Sequence, residues 1–301
     1  MKHALEVLLA GTVDYAGLFP PAALPMAEAT EQYADYLHDP ARAMLGRFVV
    51  PVLRLREFDA ATAVLLPRGE DATPWRLSAL PGPDLAADFA LALAFNDRHN
   101  TESGAGHAII DAFEIRAPTS AEIDAASSIM PEGFAPFFEV PIATDPAPLL
   151  DAVRRAGAFA KARTGGVTAA AFPSAAEVAR FMSRCREAGV GFKLTAGLHH
   201  PVRAEYRLSY EADAQRGLMF GYLNAFVAAV LVWDGAPESE VMAALVSVSP
   251  RDFSFSDDNL TFRDRSVSVA RVRDARENFI ISFGSCSFRE PVDELASLSI
   301  F

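Results

Sequence analysis

Runs of seven to ten residues rich in apolar and β-branched types alternate with stretches patterned for helix, and this alternation constrains the fold more than any other feature. The strand candidates, in order, are "EVLLAGTVDY", "RFVVPVL", "WRLSALP", "AIIDAFEIRA", "FAPFFEVPI", "GAFAKAR", "GFKLTAG" and "NFIISFG". Between them lie helical patterns such as "MAEATEQYADYL", "DLAADFALALAFNDRH", "PLLDAVRRAG" and "SAAEVARFMSRCREAG". In the last of these, Ser174 reads as the N-cap and Gly189 as the C-terminal stop. Strand then helix, repeated eight times in 301 residues, predicts an α/β fold: a single (β/α)8 TIM barrel. Residues 199 to 278, between the seventh and eighth strands, are too many for one connection. An insertion over approximately 199–265 is expected there, with "FSFSDDNLTFRD", from residue 253, as a small hairpin or loop excursion. No low-complexity linker or longer repeat interrupts the rhythm, so residues 1–301 read as one domain.

The net charge of −12 and a pI near 5.0 repel phosphate backbones and anionic lipid heads, and no local basic patch offsets them. Nucleic acid and membrane surfaces are therefore excluded as expected partners. Two cysteines, Cys185 and Cys286, make no disulfide framework and fit a reducing, cytoplasmic setting. The opening "MKHALEVLLAGTVD" flows into a strand and shows no signal-peptidase site. The longest apolar stretch, residues 217–233, falls just short of a membrane span and carries Asn224. It reads as a buried core helix, with a contact in a homo-oligomer as the other use.

Lysine usage points to chemistry. The chain has three lysines, Lys2, Lys161 and Lys193, against twenty-four arginines, and two of the three sit inside apolar strands. In such barrels the reacting groups sit at the C-terminal ends of the strands. The polar groups there are Asp14, Glu114, Arg116, Glu139, Lys161, Arg163, Lys193 and Thr195, and then Gly284, Ser285, Cys286 and Ser287. A buried ammonium must be paired or give up its proton. A neighbouring cation, Lys193 or Arg163, would lower the pKa of Lys161 and leave it ready to attack a carbonyl. Arg163, two residues along the strand, should enter the barrel interior on the same face and seat a carboxylate or phosphate. The alternative is an inert buried network pairing both lysines with Glu114, Glu139 or Asp14.

"KARTGG" followed by a helix and then "FKLTAGL" resembles the deoxyribose-phosphate aldolase family, whose strands read roughly K-x-S-T-G and K-x-A-G-G. "VDYAGLFPPA" is similar to that family's opening D-H-T-x-L-x-P at Asp14, Leu18 and Pro20. "ALPG" (79–82) is similar to its G-F-P-x-G, and "FGSCS" (283–287) to its closing F-G-x-S-S. The resemblance implies Lys161 as Schiff-base nucleophile, Lys193 as the pKa-lowering relay amine and Glu114 as acid/base. Tyr15 and Ala16 replace the family's His and Thr, "FVVP" stands in its strand-two Cys and Asn region, Arg163 replaces its strand-six Ser, and Ala196 replaces the first Gly of strand seven. The amine chemistry is retained while the sugar-binding surface is not, so the family's own substrate is not implied.

Weaker signals complete the set. "GSCS" ahead of a helix predicts an anion cradle at Gly284, Ser285 and Ser287. Cys286 has no histidine in a recognisable position to serve as its base. His199 and His200, adjacent in extended chain, would point to opposite sides, and Asp14, Glu139, Thr195, Gly197 and His199 are expected to contact substrate. The expected function is a class I Schiff-base aldolase or lyase acting on a small anionic carbonyl compound, needing no metal or organic cofactor. Its rivals are a metal-dependent lyase built on His199, Glu114 and Glu139, and a barrel that merely binds an anionic metabolite.

Overall fold

Eight apolar runs pair side by side, all parallel, and the first closes on the last. They are Val13–Tyr15 (β1), Leu45–Pro51 (β2), Trp75–Leu80 (β3), Ala108–Arg116 (β4), Ala135–Glu139 (β5), Phe159–Arg163 (β6), Phe192–Thr195 (β7) and Ile280–Ser285 (β8). The order around the ring is β1-β8-β7-β6-β5-β4-β3-β2, a closed barrel in a computed structural model that describes residues 2–101 and 104–298. Because each strand is covered by helices outside and by side chains inside, its sequence is apolar on both faces, which is why the runs were legible. The helices are His3–Leu9 (α1), Met26–Tyr36 (α2), Leu55–Thr62 (α3), Leu85–Thr101 (α4), Ser120–Ser128 (α5), Ala147–Arg155 (α6), Ala175–Ala188 (α7), Tyr222–Trp233 (α8), Glu238–Val246 (α9), Val269–Asn278 (α10) and Arg289–Ser297 (α11).

One strand expectation is corrected. "EVLL" of the first candidate belongs to α1, and only Val13–Tyr15 joins the barrel. Ala4, Leu5, Val7, Leu8 and Leu9 are all buried, and α1 packs against α10 and the strands beside it. A short apolar run has no period of its own, so helix and strand read alike there. Elsewhere the local signals hold. Ser174 accepts from the Glu177 amide while Glu177 reaches back to Ser174, and Gly189 ends α7 in the left-handed region at φ +67°.

Between β7 and β8 the chain makes an antiparallel hairpin, Ala204–Arg207 with Arg216–Met219, then α8 and α9, then a three-stranded antiparallel sheet, then α10. The "FSFSDDNLTFRD" segment supplies two of that sheet's strands, Phe253–Phe255 and Asn259–Phe262, and Arg265–Ser268 is the third. Every residue of α8 from Tyr222 to Val232 is buried within the protomer. From Tyr222 to Val232 the apolar stretch is therefore core, while its first residues lie instead in the hairpin strand Arg216–Met219, where Leu218 is 49% exposed. Asn224 is satisfied inside it, donating to Ala244 O and Ser247 O and accepting from the Arg203 amide.

Register is what gathers the charged residues. Glu139 lies opposite Lys161, Lys161 opposite Lys193, and Arg163 opposite Thr195. Residues level with one another on neighbouring parallel strands present their side chains to the same face. Glu139, Lys161 and Lys193 thus stand in one row along three adjacent strands.

Candidate active site

The row is the centre of a buried network of five ionisable groups. Lys161 Nζ lies 2.8 Å from Glu114 Oε2 and 2.8 Å from Glu139 Oε2. Lys193 Nζ lies 2.7 Å from Glu114 Oε1 and 2.5 Å from Asp14 Oδ2. Glu114 therefore gives one oxygen to each lysine, and Ser78 Oγ also donates to its Oε1 at 2.7 Å. Asp14 is held by the Arg47 amide at 2.8 Å and by Ser282 Oγ at 2.6 Å. Gly46 is required beside it, since a Cβ there would come within 2.4 Å of Asp14 Oδ1. Phe137 lies under Lys193, its ring centroid 5.4 Å from Nζ.

The two lysines differ in access. Lys161, 5% exposed, forms part of the floor of a cleft of about 380 Å³ with Glu114, whereas Lys193, 1% exposed, does not line that cleft. Above them the walls include Thr195, Gly197, Gly284, Arg163, His199 and Glu290. Asp14 and Glu139 do not reach this surface. Asp14 holds Lys193, and Glu139 ties Lys161 to Arg163 Nε at 3.4 Å.

Electrostatics here run opposite to the sequence expectation. Burial alone would push the Lys161 ammonium down, but Glu114 and Glu139 outweigh it and hold its pKa above the ordinary value. Burial likewise works against the Glu114 and Glu139 carboxylates, yet the ammonium groups beside them keep both below the usual range. The expected lowering of Lys161 by Lys193 or Arg163 is corrected, because carboxylates stand between the cations. Arg163 is also not interior: its side chain is 53% exposed at the barrel mouth, where it does line the cleft. The strand ends at residue 163, so alternation carries its side chain past the rim.

The two glycine motifs have a structural reason. A Cβ on Gly165 would sit 2.7 Å from the Cα of Gly197 and 2.6 Å from the Phe172 ring. The loops after β6 and β7 cross at this point, and Thr164 Oγ1 donates to Ala196 O at 2.7 Å across the crossing. Ala196 and Gly197 both take positive φ, +63° and +72°, which turns the chain sharply. That turn overturns the expectation that the two histidines face opposite ways. His199 Nδ1 is 3.5 Å and His200 Nε2 is 3.9 Å from the same Glu290 carboxylate.

The β8 loop is occupied internally. Ser285 Oγ donates to Ser287 O at 2.7 Å and meets His199 Nδ1 at 3.2 Å, and Ser287 Oγ accepts from the Glu290 amide at 3.1 Å. With the Glu290 carboxylate on the same wall, the predicted cradle at Gly284, Ser285 and Ser287 is corrected: only Gly284 reaches the cleft, and the charge nearby is negative. Cys286, expected to lack a histidine, has His199 Nδ1 at 3.8 Å and the Tyr210 hydroxyl at 3.5 Å. Sequence reasoning missed this because 87 positions separate His199 from Cys286 and only the loop turn joins them. Burial raises the thiol pKa and lowers that of His199 to about 4, so the pair rests neutral and makes no thiolate nucleophile.

The metal alternative on His199, Glu114 and Glu139 is likewise not assembled, since both carboxylates are engaged by lysines. Among the described residues the group with ligand spacing is His200, Glu290 and Glu294, in which His200 Nδ1 already meets Glu294 at 2.8 Å.

No family model matches the chain, and no curated protein matches it. Among solved structures, a nitroalkane oxidase from Streptomyces ansochromogenes is similar at 13% identity and a TM-score of 0.32, over 66% of this chain and 62% of that one. A likeness at that score carries no argument. Among the described residues, no helix is long and apolar enough to cross a membrane.

Proposed function

We propose that the protein is a class I lyase of the aldolase type, in which Lys161 forms a Schiff base with a small carbonyl substrate. The observation that carries this reading is the asymmetry of the lysine pair: one amine opens onto the cleft floor and the other is sealed beneath it. An inert ion-pair network gives no reason for that difference. The order of motifs shared with deoxyribose-phosphate aldolases supports the same assignment of roles.

The raised pKa of Lys161 has two faces. At rest the amine is an ammonium, so a proton must leave before attack, and Glu139 at 2.8 Å is placed to take it. The neutral amine then adds to the carbonyl, the carbinolamine loses water, and the product is an iminium. An iminium is again a cation, and the carboxylates that favoured the ammonium favour it too. Breaking the carbon–carbon bond beside a β-hydroxyl sends its electron pair into the iminium to give an enamine, while the hydroxyl proton passes to the Glu114 carboxylate and that fragment leaves as an aldehyde. Glu114 then returns the proton to the enamine carbon, and water hydrolyses the resulting iminium to free the second product and the amine. Lys193, bridging Asp14 and Glu114, fixes the carboxylate that performs the relay.

The direct test is borohydride reduction in the presence of a panel of small aldehydes and ketones, followed by intact mass and peptide mapping. The expected result is one adduct, on Lys161. Mapping to Lys193 or Lys2, or no adduct with any member of the panel, overturns the reading. A pH series adds a second prediction. Removing the negative charge of Glu139 removes part of what raises the Lys161 pKa. Glu139→Gln should therefore move the alkaline-rising limb of trapping to lower pH. A limb that stays in place or moves upward means that Glu139 does not set the protonation of the reacting amine.

A further inference from the structure

Arg207 stands out among the groups that face the cleft. It ends the first strand of the hairpin Ala204–Arg207/Arg216–Met219, which contributes Arg207, Leu208, Ser209, Tyr210 and Met219 to the cleft wall. Its neighbours are engaged: Arg216 donates to Glu205 O, Tyr210 to Glu290 at 3.1 Å, and the Tyr206 ring stacks on His200 at 3.4 Å. Among the described residues no hydrogen bond or ion pair holds the Arg207 side chain. Arg163, the other guanidinium on the cleft, has a single weak partner in Glu139 at 3.4 Å.

Glu290 also lines the cleft, where its carboxylate accepts from Tyr210 of the same hairpin at 3.1 Å, and burial raises its pKa. Bringing an anion near Glu290 would raise that pKa further, at a cost in free energy. An anion entering the cleft is therefore kept from the Glu290 carboxylate and drawn to the guanidinium groups. A guanidinium without a partner offers two parallel N–H groups in the geometry of an oxoanion.

We infer that Arg207, with Arg163, forms the seat for an oxoanion, carboxylate or phosphate, at the end of the substrate remote from the carbonyl. This rests on the Schiff-base reading for the position of the carbonyl, and it places the anion on the hairpin rather than on the β8 loop. The hairpin then selects substrate while the barrel floor performs the chemistry.

The probes are a pair of matched length, 4-oxobutanoate and butanal, each trapped with borohydride on the intact protein. In Arg207→Gln the concentration giving half-maximal trapping should rise about tenfold for 4-oxobutanoate and stay unchanged for butanal. Equal effects on both probes, or none on either, overturn the seat. Arg163→Gln should act in the same direction. To separate the seat from the covalent chemistry, succinate and inorganic phosphate are titrated calorimetrically into Lys161→Arg, where no adduct forms. Binding of either anion that Arg207→Gln weakens supports the seat even if trapping fails, and the stronger binder identifies carboxylate or phosphate. No binding of either anion, or binding indifferent to Arg207, removes it.

Discussion

Lys161→Arg should abolish borohydride trapping altogether while leaving the fold intact. The guanidinium keeps the positive charge between Glu114 and Glu139 but does not act as an amine nucleophile at neutral pH. A leucine at this position would be a poorer test. It fills the space but leaves Glu139 facing Glu114 without the cation between them, and breaking a buried pair by removing one partner costs about 3–5 kcal/mol. Trapping that persists in Lys161→Arg at the wild-type rate would exclude Lys161 as the nucleophile. Circular dichroism and the thermal midpoint of the same preparation report whether the fold survives.

Lys193→Met should be the most destabilising single change in the site, by about 3–5 kcal/mol at pH 7. Its ammonium is wholly enclosed and answers two carboxylates at once, Asp14 and Glu114. The loss should shrink in acid, because a protonated Glu114 no longer needs a cation. The sign follows from the wild type. Glu114 and Glu139 have folded pKa values below the ordinary 4.5, so their contribution is complete above that pH and is lost as pH falls toward the folded values. Lys161 lies above 10.5 when folded, so its contribution is complete below that pH and is lost as pH rises through the folded value. The network should therefore stabilise most between about pH 4.5 and 10.5, and denaturant melts across that range measure it. A Lys193→Met variant as stable as wild type at pH 7 would show that the lysine is not the counter-ion of Asp14 and Glu114.

The barrel and its charged floor were legible for different reasons. Apart from β1, whose apolar lead-in proved to be α1, the strands announced themselves because burial on both faces demands an apolar run, and the lysines within such runs had to meet carboxylates or give up their protons. Asp14, Glu114 and Glu139 were the acids at strand ends, and all three are where the amines are. What the sequence did not carry was distance across the chain. Whether Arg163 faced inward depended on where β6 stopped. His199 meets Cys286 and Ser285 only because Ala196 and Gly197 turn the chain, and an alanine at φ +63° leaves no mark in the residue types. The sign of the Lys161 shift was misjudged for a related reason: the sequence counted cations nearby but did not show the carboxylates interposed between them.

The crossing of the β6 and β7 loops has a consequence for how this cleft can change over time. Gly165, Gly166, Gly197 and Gly284 all face the cleft, so part of its wall is peptide backbone with no side chain over it. At the crossing, even a methyl group on Gly165 or Gly197 would collide with the opposite chain. New specificity cannot be installed there by substitution. Any drift in what the protein accepts must be written elsewhere, and the hairpin, with five residues on the cleft, is a surface where side chains can change.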